Sequence, residues 1–356
     1  MSSFAASLAE RQARAVQLLA DQQVTSVVTR DLATIRYFTG FSGSNAAMAI
    51  GVHGCLLVTD GRYRDQVADE SVGAEILIDR DLMGALASEL GPRAVAVDPG
   101  LSLLDVQRLR ELGLDPEVSP VEINSLRAVK DSVELDLLER ACSITAQALM
   151  QEAAAIAIGD TEISIARRLE ARFGALGADD RSFPTIVAAG THSAIPHHQP
   201  TSTPLASGDL LVIDCGALVQ GYHADMTRTF VVGSEPTARQ SLMHDTVRAA
   251  NAAGRHAAVP GASARDVDQA ARSVVASAGF AEYFTHGTGH GVGLQIHEAP
   301  MVNAANADTI SAGTPITVEP GIYLPGEGGV RIEDTIVVDD PGLLLTRAPY
   351  DLTVVG

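Results

Sequence analysis

The sequence predicts an α+β protein of two unlike domains: a smaller α/β domain over residues 1–123, and a larger domain over residues 124–356 with an internal duplication. Three observations predict it. Short β-rich runs alternate with helical stretches through the first third of the chain. A proline-bearing stretch without periodicity then gives way to a long amphipathic segment, and the remainder matches itself about a hundred residues further on. The chain of 356 residues also exceeds the size, roughly 250 residues, at which single cores stop growing.

The β-rich runs are VTSVVT (24–29), AAMAIG (46–51), CLLVTD (55–60), AEILID (74–79) and AVAVD (94–98). The boundary is expected near 120–128, as the chain leaves DPEVSPVEI (115–123), where two prolines interrupt any ladder or helix. Next comes RAVKDSVELDLLERACSITAQALM, in which Asp131 and Glu134 have capping-box spacing and Leu135, Leu138, Cys142 and Leu149 fall close to one helical face.

The duplication is legible in the letters. At an offset of 102, GDTEISIARRLEARFGALG (159–177) lies over GASARDVDQAARSVVASAG (261–279), each a helix with a hydroxyl N-cap and a closing glycine. At 105, GDLLVIDCG (208–216) lies over GTPITVEPG (313–321), placing Asp214 on Glu319. At 108, GYHADMT (221–227) lies over GVRIEDT (329–335), placing Asp225 on Glu333 and Thr227 on Thr335. Each half therefore reads as strand, turn and strand, with one acidic residue per strand.

Composition narrows the function. A formal charge of -19 argues against nucleic-acid and anionic-membrane partners, which need a dense basic surface. Lys130 is the single lysine, and abundant alanine beside it suggests a GC-rich genome rather than a function. Cys55, Cys142 and Cys215 form no CxxC and suggest neither disulfides nor a zinc knuckle. No apolar run approaches the ~20 residues of a membrane span, and a cytoplasmic protein is expected.

A lone Asp or Glu at a strand end is most often a turn or surface residue. Two matched pairs in a duplicated frame are different, because facing hairpins would converge four carboxylates whose mutual repulsion calls for protons or cations. Two divalent ions are the economical answer. Oxygen donors with one imidazole suit Mn2+, with Co2+ and Zn2+ as alternatives. His290, in HGTGHGVGLQIHEAP (286–300), is the nitrogen donor expected to join them. Its spacing of four from His286 resembles a helical zinc motif, but four interleaved glycines argue for a loop or irregular strand, with glycine letting backbone approach a substrate. Arg331 should share the cleft with Glu333 by strand parity, as a substrate-carboxylate clamp or an ordinary ion pair. The proline-flanked loop SAIPHHQP (193–200) adds His197 and His198.

On these residues the chain resembles the pita-bread metallopeptidases, in particular the aminopeptidase P and prolidase branch. The resemblance extends over nearly the whole chain, through IRYFTGFSGSNAA (35–47), LLVTDGRY (56–63), SLRAVKDSVEL (125–135), SAIPHHQP, VIDCGALVQGYHADMTRTF, HGTGHGVGLQIHEAP, VEPGIY and VRIEDT. It implies a creatinase-like N-terminal domain, a pita-bread catalytic domain and hydrolysis of the Xaa-Pro bond in dipeptides or at the N-terminus of longer peptides. Asp225 and Glu333 would bridge two metals, Asp214 would hold one, and His290 with Glu319 the other. A hydroxide between the ions would be the nucleophile, and Glu319 would relay a proton to the leaving nitrogen. The resemblance further implies that His197 and His297 hydrogen-bond the substrate or the developing oxyanion, that His286 and Arg331 line the proline side, and that the protein is a homodimer.

Competing readings are a non-catalytic peptide-binding module, which usually loses ligands, and a creatinase-like activity, which lacks the metal carboxylates. A methionine aminopeptidase would not need the N-terminal domain. Dipeptidase and aminopeptidase share every residue named, so the sequence leaves substrate length open.

Overall fold

The structure, a computed structural model, describes residues 3–91 and 94–356. Within the first unit, the apolar runs form one six-stranded sheet in the order Ala74–Ile78, Gly54–Thr59, Ala46–Gly51, Ser26–Thr29, Ala94–Val97, Asp115–Val118. The three central strands pair antiparallel and the outer ones parallel, as the intervening helices Arg64–Glu70, Leu82–Leu90 and Leu103–Glu111 require. Val28, Ala47, Ala49 and Val58 pack beneath Leu82, Met83 and Leu86.

Asp115–Val118 is a strand that the sequence pattern hid, because it contains Pro116 and exposes three of its four residues. Proline is tolerated there because the strand is an edge. The chain divides after Arg127, within residues 120–128. The turn Ile123–Arg127 stays with the first unit because Asn124 accepts a hydrogen bond from Thr34 at 2.7 Å and Arg127 pairs with Asp31 at 3.0 Å.

The second unit begins with the helix Ser132–Ala153, closed by the Asp131–Glu134 capping box. Two later helices, Glu162–Ala175 and Ala264–Ser277, stand at the offset of 102 residue for residue. Thr161 and Ser263 cap them, and Gly177 and Gly279 end them with φ of 92° and 85°, a conformation that favours glycine.

Each half also owns a sheet. The first runs Val354–Val355, Met226–Val232, Leu210–Cys215, Ile186–Ala189; the second runs Glu298–Val302, Gly289–Gly291, Thr314–Val318, Asp334–Val338, Leu343–Leu344. Leu138, Cys142 and Leu149 bury against Leu211, Ile213 and Phe230 of the first sheet. Residues of helix Ala238–Ala257 and helix Ala264–Ser277, among them Val247 and Ala271, pack with Val330 and Ile332. An isolated bridge between Thr227 and Glu333 joins the halves.

Two details depart from the duplicated letters. Only Asp214 lies within a strand; Asp225 precedes Met226–Val232, Glu319 follows Thr314–Val318, and Glu333 precedes Asp334–Val338. The register also differs. Asp214 stands opposite Thr227, but Thr335 stands opposite Thr317 rather than Glu319. This two-residue slip keeps every side chain on its own face, since the pleat repeats every second residue.

Candidate metal centre

Where the half-domains meet, a cleft of about 380 Å³ collects Asp214, Asp225, His290, Glu319 and Glu333 in its walls. The strand Leu210–Cys215 presents Asp214 from the first half, and the strand Gly289–Gly291 presents His290 from the second. Asp225, His290 and Glu333 each offer a ligand atom within 4.8 Å of the others. His290 Nε2 lies 3.5 Å from both Asp225 Oδ2 and Glu319 Oε1.

The protonation of His290 follows from its other nitrogen. Nδ1 is 3.0 Å from the Gly291 carbonyl, which can only accept, so Nδ1 carries the proton and Nε2 presents a lone pair to the carboxylates. Burial lowers the His290 pKa to about 4, so the ring is neutral. Burial, then the neighbouring Asp214 and Glu319, holds Asp225 well above the usual carboxylate range. Glu333 is raised by burial and by Asp225, and burial raises Glu319 to about 8.

These groups fit divalent cations. A neutral imidazole lone pair faces carboxylate oxygens that accept and cannot donate once ionised, and Asp214 Oδ1 is buried with no hydrogen-bond partner among the described residues. Cations in place of protons would give these atoms partners, and oxygen donors with one nitrogen suit divalent ions.

A directional chain supports the other side of the cleft. Arg331 Nη2 donates to Asp214 Oδ2 at 2.7 Å, Arg331 Nη1 donates to the Tyr323 hydroxyl at 2.9 Å, and that hydroxyl donates to His286 Nε2 at 2.9 Å. His286 Nδ1–H ends the chain on the Gly287 carbonyl at 2.8 Å, and burial lowers the His286 pKa to about 4, keeping it a neutral acceptor. Arg331 also donates from Nε to Thr227 Oγ1, which in turn donates to Glu333 Oε2 at 2.8 Å. Arg331 thus reaches the cleft, but from the hairpin Gly321–Leu324 with Gly328–Arg331 and not along a strand shared with Glu333.

His197 and His297 are exposed at the same cleft, with the His297 ring edge-on to His290 at 4.4 Å. His198 is not there; it turns inward. Phe183, Ile296 and Met301 add apolar wall.

Tyr323 and Thr227 carry this network, although in the sequence Thr227 stands out only as a duplicated position and Tyr323 not at all. Gly321 makes room for the Tyr323 ring, since a Cβ there would lie 2.5 Å from the Tyr323 hydroxyl; one at Gly329 would meet the Ser193 carbonyl oxygen at 2.2 Å and the Tyr323 ring at 3.0 Å. Glycines around His290 are also required by their neighbours, and Gly287 and Gly289 line the cleft. A Cβ at Gly289 would sit 1.9 Å from the Thr317 carbonyl oxygen, and one at Gly291 would sit 2.3 Å from that of Ala299.

Comparison with known proteins agrees with this architecture. Residues 136–340 match the model for metallopeptidase family M24, and residues 11–129 match that of the creatinase/prolidase N-terminal domain. The chain is 32% identical to the Xaa-Pro dipeptidase of Pyrococcus furiosus over 348 residues, covering 96% of this chain and 99% of that protein. Its fold is similar to a solved Xaa-Pro dipeptidase from Bacillus anthracis, with a TM-score of 0.92 at 31% identity, covering 98% of this chain and 100% of the other. It is also similar to an X-Pro aminopeptidase from Thermotoga maritima, with a TM-score of 0.89 at 31% identity, covering 97% and 99%. The matched domains, in this order and over this extent, make the chain a member of metallopeptidase family M24 with a creatinase/prolidase N-terminal domain.

Proposed function

We propose that this metallopeptidase hydrolyses the bond preceding proline in Xaa-Pro dipeptides, using two divalent ions, Mn2+ foremost, held by Asp214, Asp225, His290, Glu319 and Glu333. The observation that carries the reading is the convergence of four carboxylates and one neutral imidazole in a single small cleft. Asp225 and Glu333 would serve both ions, Asp214 one, and His290 with Glu319 the other. When bound, the ions supply Lewis acidity that activates water at neutral pH and polarises the scissile carbonyl.

The remaining roles belong to the chain's own side chains. His197 and His297 donate hydrogen bonds to the substrate or to the carbonyl oxygen as charge develops there. His286, fixed by Tyr323, and Arg331, fixed by Asp214, line the side that receives the proline. Glu319 passes a proton toward the leaving nitrogen. An Xaa-Pro bond lacks the N–H that peptidases gripping an extended backbone require, so a site built on metal and side-chain contacts suits it. The cleft lies in the range of roughly 300–1,000 Å³ typical of small-ligand sites and suits a short peptide.

Cleavage of longer peptides is the second reading, favoured by the likeness to the Thermotoga maritima aminopeptidase. Mn2+-dependent turnover of Ala-Pro, Ala-Pro-Ala and Ala-Ala decides between them. Ala-Pro cleavage with little on the other two is expected. Comparable Ala-Pro-Ala cleavage would establish the aminopeptidase, and turnover of Ala-Ala alone would refute both.

A further inference from the structure

We infer that the protein holds its two exposed cleft histidines with two buried hydrogen-bonded anchors, Glu162–His198 under His197 and Lys130–Glu298 under His297. The inference rests on the proposed roles of His197 and His297. At an offset of 100, IPHHQP (195–200) lies over QIHEAP (295–300), which places His197 on His297, His198 on Glu298 and Pro200 on Pro300. In each loop the histidine is exposed at the cleft and the next residue is buried. The duplication therefore includes a cleft histidine followed by an inward anchor.

The anchors have opposite polarity. In the first half the inward residue is basic and its partner acidic: His198 Nε2 lies 2.9 Å from Glu162 Oε2. Glu162 opens the helix Glu162–Ala175, its side chain is fully buried, and its carboxylate collects donors from both ends of the loop. Oε1 accepts from the Ala189 amide and from His192 Nδ1, both at 2.9 Å; Oε2 accepts from the Thr201 amide at 2.9 Å and the Thr201 hydroxyl at 2.8 Å. In the second half the inward residue is acidic and its partner basic. Lys130, the chain's single lysine, reaches Glu298 Oε2 at 2.9 Å with side-chain exposures of 1% and 4%, and Glu298 Oε1 accepts from the Gln295 amide at 2.9 Å.

Glu162, His192 and His198 also have the spacing of a cation site. Five donors already point at the one carboxylate, however, which is the arrangement of a hydrogen-bond hub. A buried, fully bonded carboxylate spanning residues 189 to 201 fixes the backbone that carries His197. The Lys130–Glu298 pair does the same for the residues on either side of His297. Neither pair touches the space where substrate would lie, so all four are positioning residues.

Double-mutant cycles with Ala-Pro as substrate test this. E162Q keeps the side chain's shape but turns an amide N–H toward existing donors. Its kcat/KM should fall by about 10- to 100-fold, the scale on which misplacing an active-site group acts. The loss should divide between kcat and KM as it does in H197A, with wild-type metal content, and should shrink to less than about twofold when H197A is already present. E298Q should behave likewise against H297A and add independently to E162Q. Should E162Q not fold, H198N takes its place, because it leaves the Ala189, His192 and Thr201 bonds to Glu162 intact. A full E162Q loss repeated in the H197A background, or metal content that falls with activity, would overturn the inference. An active, wild-type-like H197A would instead refute the role of His197 itself, and the inference with it.

Discussion

Metal binding by this site should expel protons, and the number follows from its electrostatics. Without metal, burial and mutual repulsion hold Asp225 and Glu333 well above their usual range and raise Glu319 to about 8. At pH 6.5, below that value, Glu319 alone then keeps most of its proton. His290, lowered to about 4, is already neutral and has no proton to give. Loading the site at pH 6.5 should therefore release between about one and three protons, all from carboxyls, and affinity should rise about tenfold per released proton for each pH unit. Titration calorimetry in buffers of different ionisation enthalpy counts them. The same shifts have a consequence for stability. A carboxyl whose folded pKa lies above its unfolded value of about 4 stabilises the fold fully below that value and loses the contribution as pH rises through the folded pKa. The Tm of chelator-treated protein should thus fall between pH 5 and 8, and Mn2+ should restore it. Zero proton release, with a metal-free Tm flat across that range, would refute the convergence of carboxyls on which the metal centre depends.

Three substitutions probe the supporting structure. D225N removes a charge and one oxygen donor from the proposed shared position; turnover should fall by more than about 100-fold, beyond the range for partners outside the ligand set, and near-normal Ala-Pro hydrolysis would mean the ligand is misassigned. Y323F keeps the ring but breaks the link between Arg331 and His286, so kcat/KM should drop about tenfold with metal content unchanged. G289A forces a Cβ to within 1.9 Å of the Thr317 carbonyl oxygen; calorimetry should show a loss of about 1–3 kcal/mol, or roughly 2–12 °C in Tm, and an unchanged Tm would mean the strands separate freely.

Much of this was legible in the letters because duplication repeats physical constraints. Thr161 and Ser263 both cap helices, Gly177 and Gly279 both end them at positive φ, and these signals are local. The four carboxylates were legible as two pairs for the same reason, while His290, which has no duplicate among them, was legible from its glycine-rich segment. What escaped depends on three dimensions. The two-residue slip between the hairpins leaves no trace in the sequence, since it preserves side-chain parity. Tyr323 reaches across its own hairpin only because Gly321 and Gly329 leave space, a relation between strands that a linear reading does not contain. Lys130 looked like a relic of base composition until its ammonium proved to be buried against Glu298, 168 residues away in the chain. The edge strand Asp115–Val118 was masked by the proline that its edge position tolerates.

Anomalous diffraction from Mn2+-loaded crystals tests the metal centre most directly. Two peaks are predicted, both within coordinating distance of the set Asp214, Asp225, His290, Glu319 and Glu333, with Asp225 and Glu333 ligating both ions. A single peak, or a peak beside Glu162, His192 and His198 in place of one of the two, would contradict it.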